Sequence, residues 1–248
     1  MALYMKIKQA HISRALRRLG QRFMDKYSLS KYYAKKNPLV IFGMYYDEDY
    51  NIMLRHEGDV TIVWTGSDTL KINKKRRIAL KEKPARHIAI SRMLSKDLTT
   101  AGITHKLIPI SACSLDYENC KRGESIYFYG EHEIYGIKYL PQIKKLGFGI
   151  IHTTGGHSQA QIRELYAKSF VGLRLTQHDG LPNTVLELGM MGRRSIYNGD
   201  IPHSIKWSSI DDVCESIIRE YERRHEDNAH IAKDVKQFTD IEDNWLGF

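Results

Sequence analysis

Two carboxylates, Asp179 and Glu187, stand eight positions apart in the stretch Gln177 to Arg194, QHDGLPNTVLELGMMGRR. Gly180 supplies a turn between them, and the polar pair Asn183 and Thr184 stands where a helix should begin. Backbone N–H groups at a helix start, helped by the positive end of the helix dipole, suit a diphosphate. A carboxylate offers two acceptor oxygens to vicinal hydroxyls. The chemistry this stretch could do is therefore the recognition of a nucleotide diphosphate with a sugar attached.

Such residues need elements to hold them. An apolar strand, Ser169 to Thr176, leads in, and a short strand, Ser195 to Tyr197, leads out. Around them the chain alternates strand and helix. Strands are expected at Pro38 to Tyr45, Asp59 to Trp64, Arg86 to Ile90 and Lys106 to Ile110. After an aperiodic linker at 111–123, strands resume at Ser125 to Tyr129 and Phe148 to His152. Helices are expected over 8–34, Tyr50 to His56, Arg92 to Ala101, Tyr139 to Leu146, Gln159 to Lys168 and Ile210 to Arg224, with one more through Ile231, Val235 and Phe238. Two runs of this kind imply two parallel sheets with helices on both faces.

The string Asp179-Gly180-Leu181-Pro182-Asn183-Thr184-Val185-Leu186-Glu187 resembles the donor-site signature of GT-B glycosyltransferases, above all the retaining family 4. The first acid is Asp where that family usually has Glu, one methylene longer. Ile162 to Leu175, with Leu165-Tyr166, is similar to the helix and strand that lead into the signature. The resemblance implies a GT-B α/β fold, two small Rossmann-like domains facing across a cleft. The expected boundaries are an acceptor-side domain at 1–118, a donor domain at 119–230, and a tail at 231–248 that crosses back to the first domain, with Asp243-Asn244-Trp245 at its end. It also implies a nucleotide-sugar donor, no metal or other cofactor, and retention of configuration. Glu187 would grip the ribose hydroxyls, Asp179 with the neighbouring backbone would hold the sugar, and Gly180, Leu181, Asn183 and Thr184 would complete the donor site. Lys138 is the candidate cation for the diphosphate.

Open parallel sheets bind ligands at the carboxyl ends of their strands. That rule adds Gly130 on the donor side and Asp68 on the acceptor side, the latter as an acceptor ligand, as the general base of an inverting transfer that stands as the alternative to retention, or as the N-cap of the next helix. His132, Tyr135, His152 and His157 fall near the same edge and read as structural or solvent groups. Asp47-Glu48-Asp49 has a metal-binding D-x-D form but sits in an expected surface turn, so no metal role is assigned.

The chain has 248 residues and a net charge of +9, with a pI of about 9.3. The positive charge gathers between Lys6 and Lys36, including Arg14, Arg17 and Arg18, and again between Lys71 and Arg86, including Lys74, Lys75, Arg76 and Arg77. Such a field favours a polyanionic partner. Two acceptors fit it: a surface or lipid-linked glycan at an anionic membrane, or DNA carrying a hydroxylated base, the small size keeping a viral origin open. Two further readings are a catalytically inactive scaffold that binds polyanions and a nucleotide-sugar epimerase of the same fold. Three scattered cysteines show neither metal spacing nor a disulfide framework. With no apolar leader and no run long enough to span a bilayer, the expected location is cytoplasmic, with peripheral contact at a membrane surface.

Overall fold

In the computed structural model the described residues are 8–241 and Trp245. Lys6, Asp243 and Asn244 lie outside them. Residues up to Ala112, with His178–Leu181, Ile241 and Trp245, form one compact unit, and Cys113–Gln177 with Pro182–Asp240 form a second.

The first unit is built on a six-stranded sheet. In chain order its elements are β1 (Gln9–Ile12), α1 (Arg17–Lys26), β2 (Ser30–Lys31), β3 (Leu39–Phe42), α2 (Asp47–Arg55), β4 (Val60–Trp64), α3 (Lys74–Glu82), β5 (Arg86–Ala89), α4 (Arg92–Thr100) and β6 (Lys106–Leu107). The strand order is β2-β1-β3-β4-β5-β6, and every pair is parallel. Leu39, Val40, Ile41 and Phe42 are fully buried, as are Ile62, Val63 and Trp64. Continuous apolar strands of this kind belong to a parallel sheet covered on both faces. Each such side chain contributes about 1.5–3 kcal/mol on burial.

The expectation of one helix over 8–34 is corrected. The segment is strand β1, a short 3-10 turn at Arg14–Leu16, helix α1 and strand β2. Gln9 supplies the reason. Its buried side chain donates to the carbonyls of Ala34 and Asn37 and accepts from the N–H groups of Tyr33 and Ala34. A satisfied polar side chain therefore stands where an apolar one would have announced a strand. The lysine-rich stretch after β4 holds α3, capped by Asn73, whose side chain accepts from the Arg76 N–H.

The second unit follows with β7 (Ser125–Tyr129), α5 (Leu140–Lys144), β8 (Gly149–Thr153), α6 (Gln159–Ala167), β9 (Ser169–Leu173), α7 (Asn183–Met190), β10 (Arg194–Ile196), α8 (Ile210–Glu222) and α9 (Ala229–Thr239). Its four strands are parallel in the order β10-β9-β7-β8. Phe128, Phe170, Val171 and Ile196 share a buried cluster with Val213 and Ile217 of α8. Helix α7 is buried from Val185 to Met190, with Glu187 the one charged residue in that stretch, and lies inside the unit, against α9 and β10. Capping boxes start α6, through Ser158 and Gln161, and α8, through Ser209 and Asp212. Helix α9 belongs to the second unit, whereas Ile241 and Trp245 belong to the first, where the Trp245 ring meets Tyr27 edge-on.

Candidate functional site

The carboxyl edge of the second sheet is where the sequence places its chemistry. Strand β7 ends at Tyr129 and passes into Gly130, whose φ of +123° suits glycine. A Cβ there would overlap the Tyr135 ring. Thr153 ends β8, and its hydroxyl lies 2.5 Å from that of Tyr127. The Gly130 carbonyl is 2.7 Å from His152 Nε2.

Helix α7 begins at Asn183, as the polar pair Asn183-Thr184 requires, with Pro182 in the cap position and no capping side chain. The first amides of the helix are thus not covered by a cap of its own. The Asn183 Nδ2 is buried and has no hydrogen-bond partner among the described residues. Glu187 follows one turn later and is only 5% exposed. The Tyr166 hydroxyl donates to its Oε2 at 2.8 Å. Burial, with the nearby Glu187 charge, pushes the Tyr166 pKa well above the ordinary phenol value. Burial likewise raises Tyr127 to about 12. Both phenols therefore stay protonated, and Tyr166 serves as a donor that orients the carboxylate.

Arg174 is a site residue that the sequence reading missed. It follows β9 directly, is 8% exposed, and sets its guanidinium 4.2 Å from the ring centre of Tyr135 and 5.6 Å from that of Tyr129. The signal was an arginine inside the apolar run SFVGLRLT, where a cation is kept only for a partner. Lys138, by contrast, is exposed in a 3-10 turn, with its ammonium 5.0 Å from the Tyr139 ring.

His178–Leu181 groups with the first unit, while Asn183, Thr184 and Glu187 belong to the second. His178 Nε2 lies 2.7 Å from Asp97 Oδ2, which also accepts from the Thr69 hydroxyl. The Asp179 N–H points to Met93 Sδ, and its Oδ1 accepts from the Gly180 N–H at 2.9 Å. Gly180 stands so close to the Thr65 carbonyl that any Cβ would strike backbone. Leu181 is buried.

In the first unit, Asp68 is fully buried, and its carboxylate accepts from the N–H groups of Met44, Thr65 and Gly66. Desolvation raises its pKa to about 6 despite those bonds. Asp68, expected as a base or as the N-cap of the next helix, ties two strand-end loops together and does not face solvent. The acids Asp47, Glu48 and Asp49 open α2 rather than forming a surface turn. Asp49 is buried against His11 and Ser13, at 2.7 and 2.9 Å, while exposed Asp47 pairs with Arg76. No group of three metal-ligating side chains is assembled among the described residues.

Of the basic residues, Arg14, Arg17, Arg18, Lys74, Lys75 and Arg77 are exposed. The Arg14 guanidinium lies 3.9 Å from the Tyr46 ring centre, and the Lys71 ammonium lies over both Tyr45 and Tyr46. Arg76 differs from its neighbours. It is half-buried and committed to Asp47 and to the carbonyls of Lys71 and Tyr45.

No family model matches the chain, and no curated protein matches it in sequence. Solved structures do resemble it. Sucrose-phosphate synthase from Thermosynechococcus elongatus superposes with a TM-score of 0.61 at 11% identity, over 89% of this chain and 71% of that one. TarM from S. aureus, solved as a variant with fondaparinux, α-GlcNAc-glycerol and UDP, gives 0.61 at 10% identity, over 92% of this chain and 57% of its own. A second TarM structure gives the same score and covers 56% of its own chain. The chain thus spans a little over half the length of TarM. These neighbours are glycosyltransferases, and the architecture is a Rossmann-like GT-B fold. No helix among the described residues is long and apolar enough to cross a membrane.

Proposed function

We propose that the chain is a glycosyltransferase that moves a sugar from a nucleoside diphosphate sugar to an acceptor hydroxyl. The observation that carries this reading is the uncapped start of buried helix α7, with Glu187 oriented one turn inside it by Tyr166. Backbone amides at Asn183 and Thr184 meet the diphosphate, and the positive helix end stabilises it as it leaves. Glu187 takes the ribose hydroxyls. The loop at Gly130 gives the nucleotide room, and Arg174 or Lys138 supplies the cation. Asp179, with Gly180 and Leu181, holds the transferred sugar, on the strength of the signature it begins. The UDP bound in the TarM structure supports a donor of this class.

Finer parts of the proposal rest on the resemblance to family 4. Transfer proceeds without a metal and with retention, the leaving diphosphate helping to deprotonate the acceptor. Asp68, occupied by three amides, is assigned to the loop and not to proton transfer. The acceptor is anionic or lies on an anionic surface, either a surface or lipid-linked glycan or a hydroxylated DNA base. The exposed cations of α1 and α3 and the Arg14–Tyr46–Lys71 cluster support this. The same cations support the second reading, a scaffold of this fold that binds polyanions without turnover.

Titration calorimetry with uridine, guanosine and thymidine diphosphates and their sugars tests the donor site. At least one nucleotide should bind the native protein. Glu187→Gln, which keeps the shape and can still accept from Tyr166, should weaken it by about tenfold or more. Absence of binding by every nucleotide, or unchanged affinity in the variant, overturns the assignment. Binding without transfer to any acceptor favours the scaffold.

A further inference from the structure

A polar cavity lies in the second unit, at the edge of its sheet opposite the candidate donor site. Arg194 is the first residue of β10, so this is the amino end of the strands, away from the start of α7. The cavity measures about 260 Å³, and its walls include Arg194, Arg219, Arg223, His203, Ser204 and Glu220. Helical spacing explains half of it. Arg219 lies in α8 and Arg223 caps its C-terminal end, four positions on, while Glu220 stands three before Arg223, the helical steps at which side chains meet.

The charge in this cavity is not balanced. Glu220 is 2% exposed and central, with Arg194 at 3.2 Å, Arg122 at 3.3 Å and Arg223 at 4.0 Å. Arg223 also pairs with Glu226 at 2.9 Å. Arg219 has no ion-pair partner among the described residues. Three guanidinium groups therefore converge on Glu220, one of them shared with Glu226, while the fourth, Arg219, lines the cavity without an acid of its own among the described residues. A single buried acid among three arginines leaves positive charge that an anion would neutralise.

Two polar atoms are orphaned, one on the cavity wall and one on Arg122, which pairs with Glu220. The Ser204 hydroxyl, a wall of the cavity, is buried without a hydrogen-bond partner among the described residues, and so is the Nε–H of Arg122. An unsatisfied buried hydroxyl costs about 1–3 kcal/mol, and a ligand oxygen would satisfy it. His203, with φ of 62°, is held by Asp234 at 2.7 Å and turns the following Ser204 into the cavity wall.

We propose that this cavity is a binding site for a phosphate group, either free phosphate or the phosphate of a small ester, gripped by Arg194, Arg219 and Arg223 with Ser204 as a neutral hydrogen-bond partner. Planar guanidinium forks match phosphate oxygens in pairs, which a lysine cluster would not do. The cavity volume admits a phosphate with a small organic remainder. The site is independent of the donor reading, because none of its residues belongs to the α7 edge.

Thermal melting and calorimetry of the whole chain test it, with sodium phosphate and glucose 6-phosphate compared against sodium chloride at equal ionic strength. Phosphate or the ester should raise the melting temperature saturably, beyond the chloride control. Tighter binding of the ester identifies an organic ligand, and equal binding identifies the free anion. Arg219 is exposed and has no ion-pair partner among the described residues, so Arg219→Ala should melt like the native protein without ligand yet bind about tenfold more weakly. Ser204→Ala should weaken binding by a smaller factor. No shift beyond chloride, or an equal shift in Arg219→Ala, overturns the proposal.

Discussion

Asp68 shows how two effects compete at one residue. Three amides favour its charged form, and complete burial opposes it more strongly, so its pKa rises to about 6. The folded state therefore binds this proton more tightly than the unfolded chain does. The stabilisation is complete below the unfolded value of 3.8 and is lost as pH rises towards 6. Its size is about 3 kcal/mol on the scale of 1.36 kcal/mol per unit. His87 has the opposite sign. Burial and His105 lower its pKa from 6.5 to about 4, so its contribution is present above 6.5 and is lost as pH falls towards 4. Across pH 4 to 6 the two slopes offset each other. Asp68→Asn should remove one of them and leave stability rising with pH through this window, as urea denaturation would show. The same variant should be less stable at pH 7 by about 1–3 kcal/mol, because an amide has only one acceptor oxygen for the loop N–H groups.

Elements differ in how far their sequence announces them. β3, β4, β7 and β9 are runs of β-branched, aromatic and leucine side chains, and the sequence places each within a few residues. β1 is not legible, because Gln9 and His11 are polar and their partners come from residues about 25 to 38 positions away. α3 is hidden by its lysines and arginines, which show no apolar face. At the candidate site, Asp179, Gly180, Asn183 and Glu187 are legible as a string with fixed spacing. Tyr166 is legible only as part of a helix, since its bond to Glu187 spans 21 positions. Arg174 was masked by the apolar strand around it. The β7 loop gives an element-scale prediction. Gly130→Ala meets both an unfavourable φ and the Tyr135 ring, so it should destabilise the second unit by about 1–3 kcal/mol in thermal or urea melting. It should also disturb the tilted pair of Tyr129 and Tyr135 rings beside Arg174 and weaken donor binding in step.

At the scale of the molecule, the net charge of +9 is unevenly used. Helix α3 starts with Lys74, Lys75, Arg76 and Arg77 and has no acid in its first turn. Cations at the positive end of a helix dipole are unfavourable, the reverse of the usual bias. A polyanion would relieve that cost, whereas Arg76, bound to Asp47, is already compensated within the fold. Retention on heparin or on duplex DNA should therefore fall steeply with salt. Reversing Arg14, Arg17 and Arg18 to glutamate should lower the affinity and flatten the salt dependence. Arg76→Ala should mainly lower the melting temperature.

Arg193 carries a consequence for how this chain can be divided. Its buried guanidinium has no carboxylate beside it among the described residues and is solvated by the carbonyls of Ser169, Cys120, Met191, Lys121 and Ala167. Two of those carbonyls lie in the aperiodic segment ahead of β7, which looks dispensable when the chain is read as a sequence. A recombinant half cut to begin at the first strand of the second unit would strand a cation in oil, with two of its five oxygens gone. The irregular leader is thus the keystone of the unit it precedes, and an excision that respects the fold must begin upstream of Cys120.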